Sequence, residues 1–429
     1  MTQQVASAVE TPKAEPAPLW RSRNFLYLWL GQTAGELGSR VSSVALPVLA
    51  AGTLQATVFQ VSLLTTLAWL PYLVFSLPAG VIADRLDQRR LMIACDFGRL
   101  LLIVSLPLVA FAWHLTLWYL YLVVGVSGLL TVLFNVAYKS ALPRLVAKHQ
   151  LIEGNAKLTM SQDFAELIGP SIGGALIGLL GSVRTFFGNA LAYLISMITL
   201  MMIRYPSAAA GATGSDEEDK APLRVQLTEG LAFIRSQPIL RKILACTTTS
   251  NFFVMASGSI EVTFMLRELH ASPYLVGLVF SISAMGGLLM GALATRLSKS
   301  IGSARIIWVA MAAPGPLYLL MPLAQPGWGV LLYGLGLAAF SANVVLYNVA
   351  ATSYQQHITP DRILGRVNAS FMWVCLGVIP LGALFGGVLG TQIGLRGALW
   401  VCVLGTWSAA LFVVFSPLRR MRDMPAESA

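Results

Sequence analysis

Twelve separate stretches of this chain are apolar over the length of a membrane-crossing helix. They lie at roughly 24–51, 57–84, 89–112, 115–138, 157–181, 185–204, 240–266, 273–297, 303–324, 328–352, 367–391 and 395–416. About 20 apolar residues suffice to cross the hydrocarbon core as a helix. Only 11% of the residues are charged, against about a quarter in a soluble domain. The pattern predicts an all-α integral membrane protein with twelve transmembrane helices.

The chain also repeats itself. One constant shift carries Asn135, Ala137 and Ser140 onto Asn348, Ala350 and Ser353, and Leu151 and Asn155 onto Leu364 and Asn368. The same shift carries Gly173, Gly174 and Gly181 onto Gly386, Gly387 and Gly394. With a small slip in register, Gly80-x-x-Ala83-x-Arg85 returns as Gly291-x-x-Ala294-x-Arg296. The expected organisation is a tail (1–23), a six-helix bundle (24–204), a polar linker (205–239), a second, pseudo-symmetric six-helix bundle (240–416) and a tail (417–429). Duplicated spans of this kind build many secondary transporters, with the path between the halves. In the linker, the acidic run Asp216-Glu217-Glu218-Asp219 reads as solvated chain. Leu223, Leu227, Leu231 and Ile234 then recur at helical spacing between Arg224 and Arg235. This piece is either an amphipathic helix on the inner membrane surface or a plain tether.

The net charge of +10 raises the question of nucleic acid, and its distribution answers it. If both termini are cytoplasmic, 24 of the 29 Lys and Arg residues fall in the tails and the cytoplasmic connections. Arg184, Arg267 and Arg396 fall outside, and Arg40 and Arg99 within spans. The positive-inside rule reads this as orientation in a cell membrane, with no nucleic-acid partner implied. The polar stretch 1–23 does not resemble a signal peptide. Cys95, Cys246, Cys375 and Cys402 all fall inside spans without metal-type spacing, so they read as small buried hydrophobes. Neither a metal nor a cofactor is implied.

Three motifs carry a resemblance. Gly80-Val-Ile-Ala83-Asp84-Arg85-Leu-Asp87-Gln-Arg89-Arg90 resembles the loop signature of the major facilitator superfamily, G-x-x-x-D-R-x-G-R-[KR], with Asp87 where that family has Gly. The resemblance implies the major facilitator fold and a cytoplasmic gate formed by Gly80, Asp84, Arg85, Arg89 and Arg90, to which the nearby i, i+3 pair Asp96 and Arg99 is added for its position. Gly169-Pro170-Ser171-Ile172-Gly173-Gly174 is similar to the motif of the drug:proton antiporter groups, although Ala165 stands where the wider motif has Gly. Thr359-Pro360-Asp361-Arg362-Ile-Leu364-Gly365-Arg366-Val-Asn368, together with Leu227-Thr-Glu229-Gly230-Leu-x-Phe233 and Gln237-Pro238, resembles the macrolide-efflux and enterobactin-exporter-like branch.

An ionisable residue in a span costs roughly 2.5–3.5 kcal/mol on insertion scales and is a functional candidate by default. Glu36 falls at the middle of the first span, and Gln32, Glu36, Arg40 and Ser43 share one helix face. Arg40 is expected to neutralise Glu36 one turn away, either as part of proton coupling or as a static pair. In the fifth span Asp163 and Glu166 lie one turn apart, as proton carriers or as partners of an arginine from another span such as Arg99. The fourth span has no arginine, unlike that of many proton antiporters, so coupling must rest on spans one, three and five. The role of Glu261 stays open. Gln32, Trp69, Tyr72, Asn135, Tyr138, Asn251, Phe252, Met255, Asn343, Tyr347 and Asn348 are cavity candidates, since aromatic and methionine side chains suit bulky amphipathic ligands.

No phosphate-binding loop G-x-x-x-x-G-K-[ST] and no H-E-x-x-H motif appears, which argues against ATP hydrolysis and against a zinc enzyme. The expected function is therefore secondary export of a small amphipathic drug, antibiotic or siderophore-like molecule in exchange for protons, by a monomer in the bilayer. An importer or uniporter on the same fold is the alternative, and a non-transport receptor or membrane enzyme a distant one.

Overall fold

The computed structural model describes residue 19 and residues 22–146, 150–203 and 223–423. The first half of the chain forms α1 (Arg23–Val48), continued by a π-helical turn (Leu49–Thr53), then α2 (Val58–Arg85), α3 (Gln88–Ala112), α4 (Leu117–Leu145), α5 (Leu151–Leu180) and α6 (Ser182–Met202). After α7 (Leu223–Ser236) come α8 (Pro238–Arg267), α9 (Pro273–Ile301), the broken span α10 (Arg305–Ala312), α11 (Gly315–Tyr318) and α12 (Leu320–Leu323), then α13 (Gly329–Ile358), α14 (Asp361–Gly377), α15 (Ile379–Gln392), α16 (Gly394–Ser408) and α17 (Ala410–Val414).

Among the described residues, eleven segments are long and apolar enough to span a membrane. The remaining candidate, α1, has 26 residues and also carries Arg23, Glu36 and Arg40, so its composition is the polar exception. The arrangement is consistent with twelve spans. Breaks within spans have local causes. Pro314, Pro316 and Pro322 interrupt the segment 305–323, because proline lacks the N–H and clashes with the preceding turn. Pro380 sits just past the break between α14 and α15. Several helices outrun their apolar stretches: α4 continues to Leu145, α5 starts at Leu151 and α13 reaches Ile358.

The duplication is legible in backbone detail. Gly181 and Gly394, related by the repeat, both adopt positive φ (85° and 77°) at the turns after α5 and α15, where a side chain would be strained. The ends of α1 and α8 match as well. Leu54 N–H donates to the Leu49 carbonyl and Ala56 N–H to that of Ala50; Leu269 donates to Phe264 and Ala271 to Met265 in the same way.

Helices of the first half pack on one another, as do those of the second. The halves meet along two seams, α5 against α9 and α15 against α2. The end of α8 meets the end of α1, where Arg267 reaches the Ala51 and Ala56 carbonyls. Both helices therefore start on one face, here called the terminal face because Ser22 and Asp423 lie on it, and end on the opposite face. On the terminal face α4 and α13 are not extensively packed together among the described residues, whereas the Arg267 contacts join the halves on the opposite face.

The linker stretch forms α7, and the described part of its apolar side packs on protein. Ile234 is buried with Leu240 and Val367, and Phe233, Ile363 and Phe371 close the cluster. Glu229 pairs with Arg366, and Ser370 Oγ donates to the Leu227 carbonyl at 3.0 Å. The helix rests on α8 and α14 because that apolar face finds a protein groove there. The acidic run 216–219 lies outside the described residues.

Candidate functional site

In α1, Glu36 accepts a hydrogen bond from Gln32 Nε2 at 3.1 Å, on the i, i+4 spacing of one helix face. Arg40 does not complete the pair that the sequence suggests. Its Nη2 lies 3.3 Å from Glu166 Oε2 on α5. The reason is the approach of the two helices: a side chain at Gly169 would run into Cβ and Cγ of Arg40, so only a glycine there lets α5 lie against α1 at that level. Asp163, one turn from Glu166, is exposed. Arg40 and Arg99 both remain within electrostatic range of Glu36.

Asp96 and Arg99 do form the expected pair, deeply buried. Ser196 Oγ on α6 donates to the second Asp96 oxygen at 2.6 Å. The guanidinium lies over the rings of Phe134 (4.4 Å) and Tyr193 (4.8 Å), an arrangement that suits a planar cation. Every one of these partners comes from α3, α4 or α6, so the pair ties these helices of the first half together. Sequence spacing found the pair but not Ser196, Phe134 or Tyr193, which come from other helices far along the chain.

Above this layer Tyr72 accepts from Asn135 Nδ2 at 2.8 Å and contacts Trp69, ring centroids 5.3 Å apart. Tyr138 is buried and stacks on Phe134. Gln32, Glu36, Trp69, Tyr72 and Asn135 thus gather polar and aromatic groups from α1, α2 and α4.

The loop after α2 gives Asp87 a defined place. Asp87, standing where a glycine is usual, has φ −62° and ψ 111° and caps α3, accepting from Arg90 N–H; no glycine conformation is required. Arg89 donates through Nε to the Leu200 carbonyl at 3.0 Å and through Nη2 to Met201, placing a cation on the C-terminal end of α6, where the helix dipole favours it. The side chains of Gly80, Asp84 and Arg85, the rest of this expected gate, lie outside the described residues.

The glycines of the fifth span divide their work. A methyl group on Gly173 would meet the Val41 carbonyl oxygen at 3.1 Å, whereas one on Gly174 would strike the backbone of Gly277 on α9. The repeat mates do the same: Gly386 lies on the Ala256 carbonyl of α8, and Gly387 faces Ser62 of α2 across the other seam, 2.5 Å from its Cβ to the added methyl. In each half the first glycine seats a helix within its own half and the second lets the two halves touch. Pro170 lies inside an unbroken α5.

A family model described as transmembrane secretion effector, of the major facilitator class, matches residues 14–429. The chain belongs to this family of major facilitator transporters. It is similar to macrolide efflux protein A of Streptococcus pyogenes, 21% identical over 94% of this chain and 98% of that protein. It is also similar to the multidrug efflux pump Tap of Mycolicibacterium fortuitum, 25% identical over 94% of this chain and 97% of that pump. Its fold matches a bacterial homologue of the human lysosomal transporter Spinster in an inward-facing, occupied conformation, with a TM-score of 0.72, 16% identity, and coverage of 96% of this chain and 100% of that one. Membership makes the chain a multi-pass membrane transporter, not an enzyme.

In the second half of this transporter several cavity candidates take other places. Asn343 is buried with Nδ2 directed at Met311 Sδ, 3.7 Å away. Tyr347 is buried and bonds Thr247 Oγ1 at 2.9 Å. Both pack into the core of their half because α13 turns that face towards α10 and α8. Asn348, on the next position, is exposed. Asn251 donates to the Cys375 carbonyl at 3.4 Å. Phe252 clusters with Phe253 and Phe385, and Met255 is half-buried nearby. Arg267 reaches the carbonyls of the first half, and Glu261, on the same helix, lies near Tyr333. Repeat mates therefore need not share an environment: Asn135 bonds Tyr72, and Asn348 is open.

Proposed function

We propose that this transporter exports small amphipathic molecules across the cell membrane in exchange for protons, with both termini in the cytoplasm. Two six-helix bundles, residues 24–204 and 240–416, rock about the α5–α9 and α2–α15 seams, and the segment 205–239 links them. The terminal face is then the cytoplasmic one. Relatives named for macrolide and multidrug efflux along nearly their whole lengths support export, as does the Gly169–Gly174 motif. No second copy is required for such a path, so the working unit is a monomer.

The observation that carries the reading is the placement of Arg40. It bonds Glu166 on α5 while Glu36, one turn before it on α1, is held by the neutral Gln32. One guanidinium thus stands between two carboxyl groups, bonded to Glu166 and one turn from Glu36 on its own helix. A proton taken up by Glu166 releases Arg40, which turns to Glu36 and alters how α1 and α5 are joined. Loss of the proton restores the bond seen here. Each protonation state favours one arrangement of the two helices, which is what exchange of a proton for a substrate requires. Asp163, on the exposed side of α5, gives the proton a route. The aromatic groups Trp69, Tyr72 and Phe252 offer apolar faces to a bulky ligand. The driving force is ample: a charge crossing the membrane gains about 2.3 kcal/mol per 100 mV.

The test is transport into inside-out vesicles with an acidic lumen, using a panel of macrolides, dyes and siderophores. Uptake is expected to collapse on dissipating the gradient, and to fall more than tenfold in Glu36→Gln and Glu166→Gln while substrate binding is kept. Flux indifferent to the gradient would remove proton exchange and return the uniporter reading.

A further inference from the structure

We infer that Arg267 is the latch of the outer gate: a single arginine of the second half that holds the face opposite the termini shut by clasping backbone carbonyls of the first half. The helix ends concerned are pseudo-symmetric. The same two wrapping hydrogen bonds close α1 and α8, at one common offset along the chain. Each closure turns on a non-glycine residue in the left-handed region, Gln55 (φ 51°) after α1 and His270 (φ 50°) after α8. Against this shared frame one position differs in kind: Arg267 corresponds to Gly52. From the end of α8 the Arg267 guanidinium crosses to the first half and donates through Nη2 to the Ala56 carbonyl at 2.6 Å, with the Ala51 carbonyl at 3.5 Å. The first half has no arginine to return the contact, because its equivalent is glycine.

The chemistry suits a contact that must be made and broken. The weaker acceptor, the Ala51 carbonyl, lies in the last turn of the first span, where a cation is favoured; the stronger, the Ala56 carbonyl, lies in the connection to α2. They are main-chain groups held by the α1 closure, so they wait in place whichever way the gate stands. No carboxylate takes part, and a full ion pair at this position would be harder to open. Arg267 also lines a cavity of about 400 Å³ bounded by Val48 and Thr53 from the first span, Ile177 and Ser182 from α5 and α6, and Leu266 and Pro273 from the second half. Its walls belong to both halves. Thr53 and Ser182, 3.4 Å apart, share a hydrogen bond within the first half; across the halves Arg267 is joined by Ser62 Oγ of α2, which donates to the Ser259 carbonyl of α8 at 3.4 Å.

The proposal rests on the alternating-access reading, and its test is a distance that needs no substrate or proton gradient. Spin labels at Trp118→Cys and Trp328→Cys, both largely exposed at outer helix ends in opposite halves, report the width of the mouth in full-length protein in nanodiscs. The four native cysteines are buried and stay unlabelled. A hydrogen bond from a charged donor is worth about tenfold or more in an equilibrium. Arg267→Ala is therefore expected to raise the long-distance population at least about tenfold, with Arg267→Lys, which keeps the charge but not the fork, in between. An unchanged distribution in Arg267→Ala overturns the latch. If that variant does not yield folded protein, Arg267→Gln and Arg267→Lys are read in the same way, and no widening in either overturns it. Gly277→Leu, a wedge against Gly174 in the seam, serves as the control. Widening by the wedge without widening by the arginine variants sinks the latch alone. No widening by either sinks alternating access and the latch with it.

Discussion

At the scale of single residues, the half-hidden charges of the first bundle play different parts. Asp96 and Arg99 are sealed among Ser196, Phe134 and Tyr193. Removing one member leaves the other buried without a partner, which costs about 3–5 kcal/mol, whereas replacing both with apolar residues can be nearly neutral. Arg99→Met is expected to lower the thermal unfolding midpoint sharply, and Asp96→Leu/Arg99→Met to recover most of the loss. Equal losses in the single and double variants would show that packing, not charge, is what matters there. The Arg40–Glu166 bridge differs, since Glu166 is 63% exposed and Arg40 28%. A bridge so open to solvent is worth under about 1 kcal/mol. Glu166→Gln should therefore leave the midpoint nearly unchanged while abolishing coupled transport, and a large loss of stability would count against its role as a carrier.

At the scale of elements, glycine placement decides which helices touch. Gly174 meets the Gly277 backbone, which no side-chain rotation can relieve. Gly125, in the middle of α4, has open space around its Cβ position. Gly125→Ala is expected to be neutral or slightly stabilising, by up to about 1 kcal/mol, and Gly174→Ala to weaken the α5–α9 seam measurably. Matched melting curves of the two variants check this, and similar behaviour would remove the seam from the account. The linker helix is the second case. Glu229 and Arg366 belong to two separate sequence motifs that meet only in space. Their joint appearance in one branch of the superfamily was the available signal that they belong together. The amphipathic pattern alone did not distinguish a lipid surface from the groove of α8 and α14, because both bury the same apolar stripe.

At the scale of the whole molecule, closure on one face and separation on the other should be linked if the halves move as bodies. Lys139 on α4 and Ser353 on α13 are both exposed near the terminal face. Labels at these two positions are expected to approach one another when Gly277→Leu opens the opposite face. Distances that lengthen on both faces together would rule out rocking about the seams. The prediction depends on geometry alone and holds whatever the substrate proves to be.

Sequence alone determined the membrane environment, the helix count to within the polar first span, the duplication, and which charged residues fall within apolar helices. These follow from composition and spacing, which act along the chain: apolar length sets a span, and a constant shift between matching residues sets a repeat. Tertiary structure alone decided who meets whom. Arg40 turned from the carboxylate one turn away to one on α5 because Gly169 lets the helices close at that level. Asp87 served as a cap where a glycine was anticipated, since a carboxylate can satisfy the first amides of α3. Arg267 found its acceptors in carbonyls of the other half of the chain. Contacts of that kind depend on helix approach and rotation, which are set by the packing of all the helices together and by no local pattern.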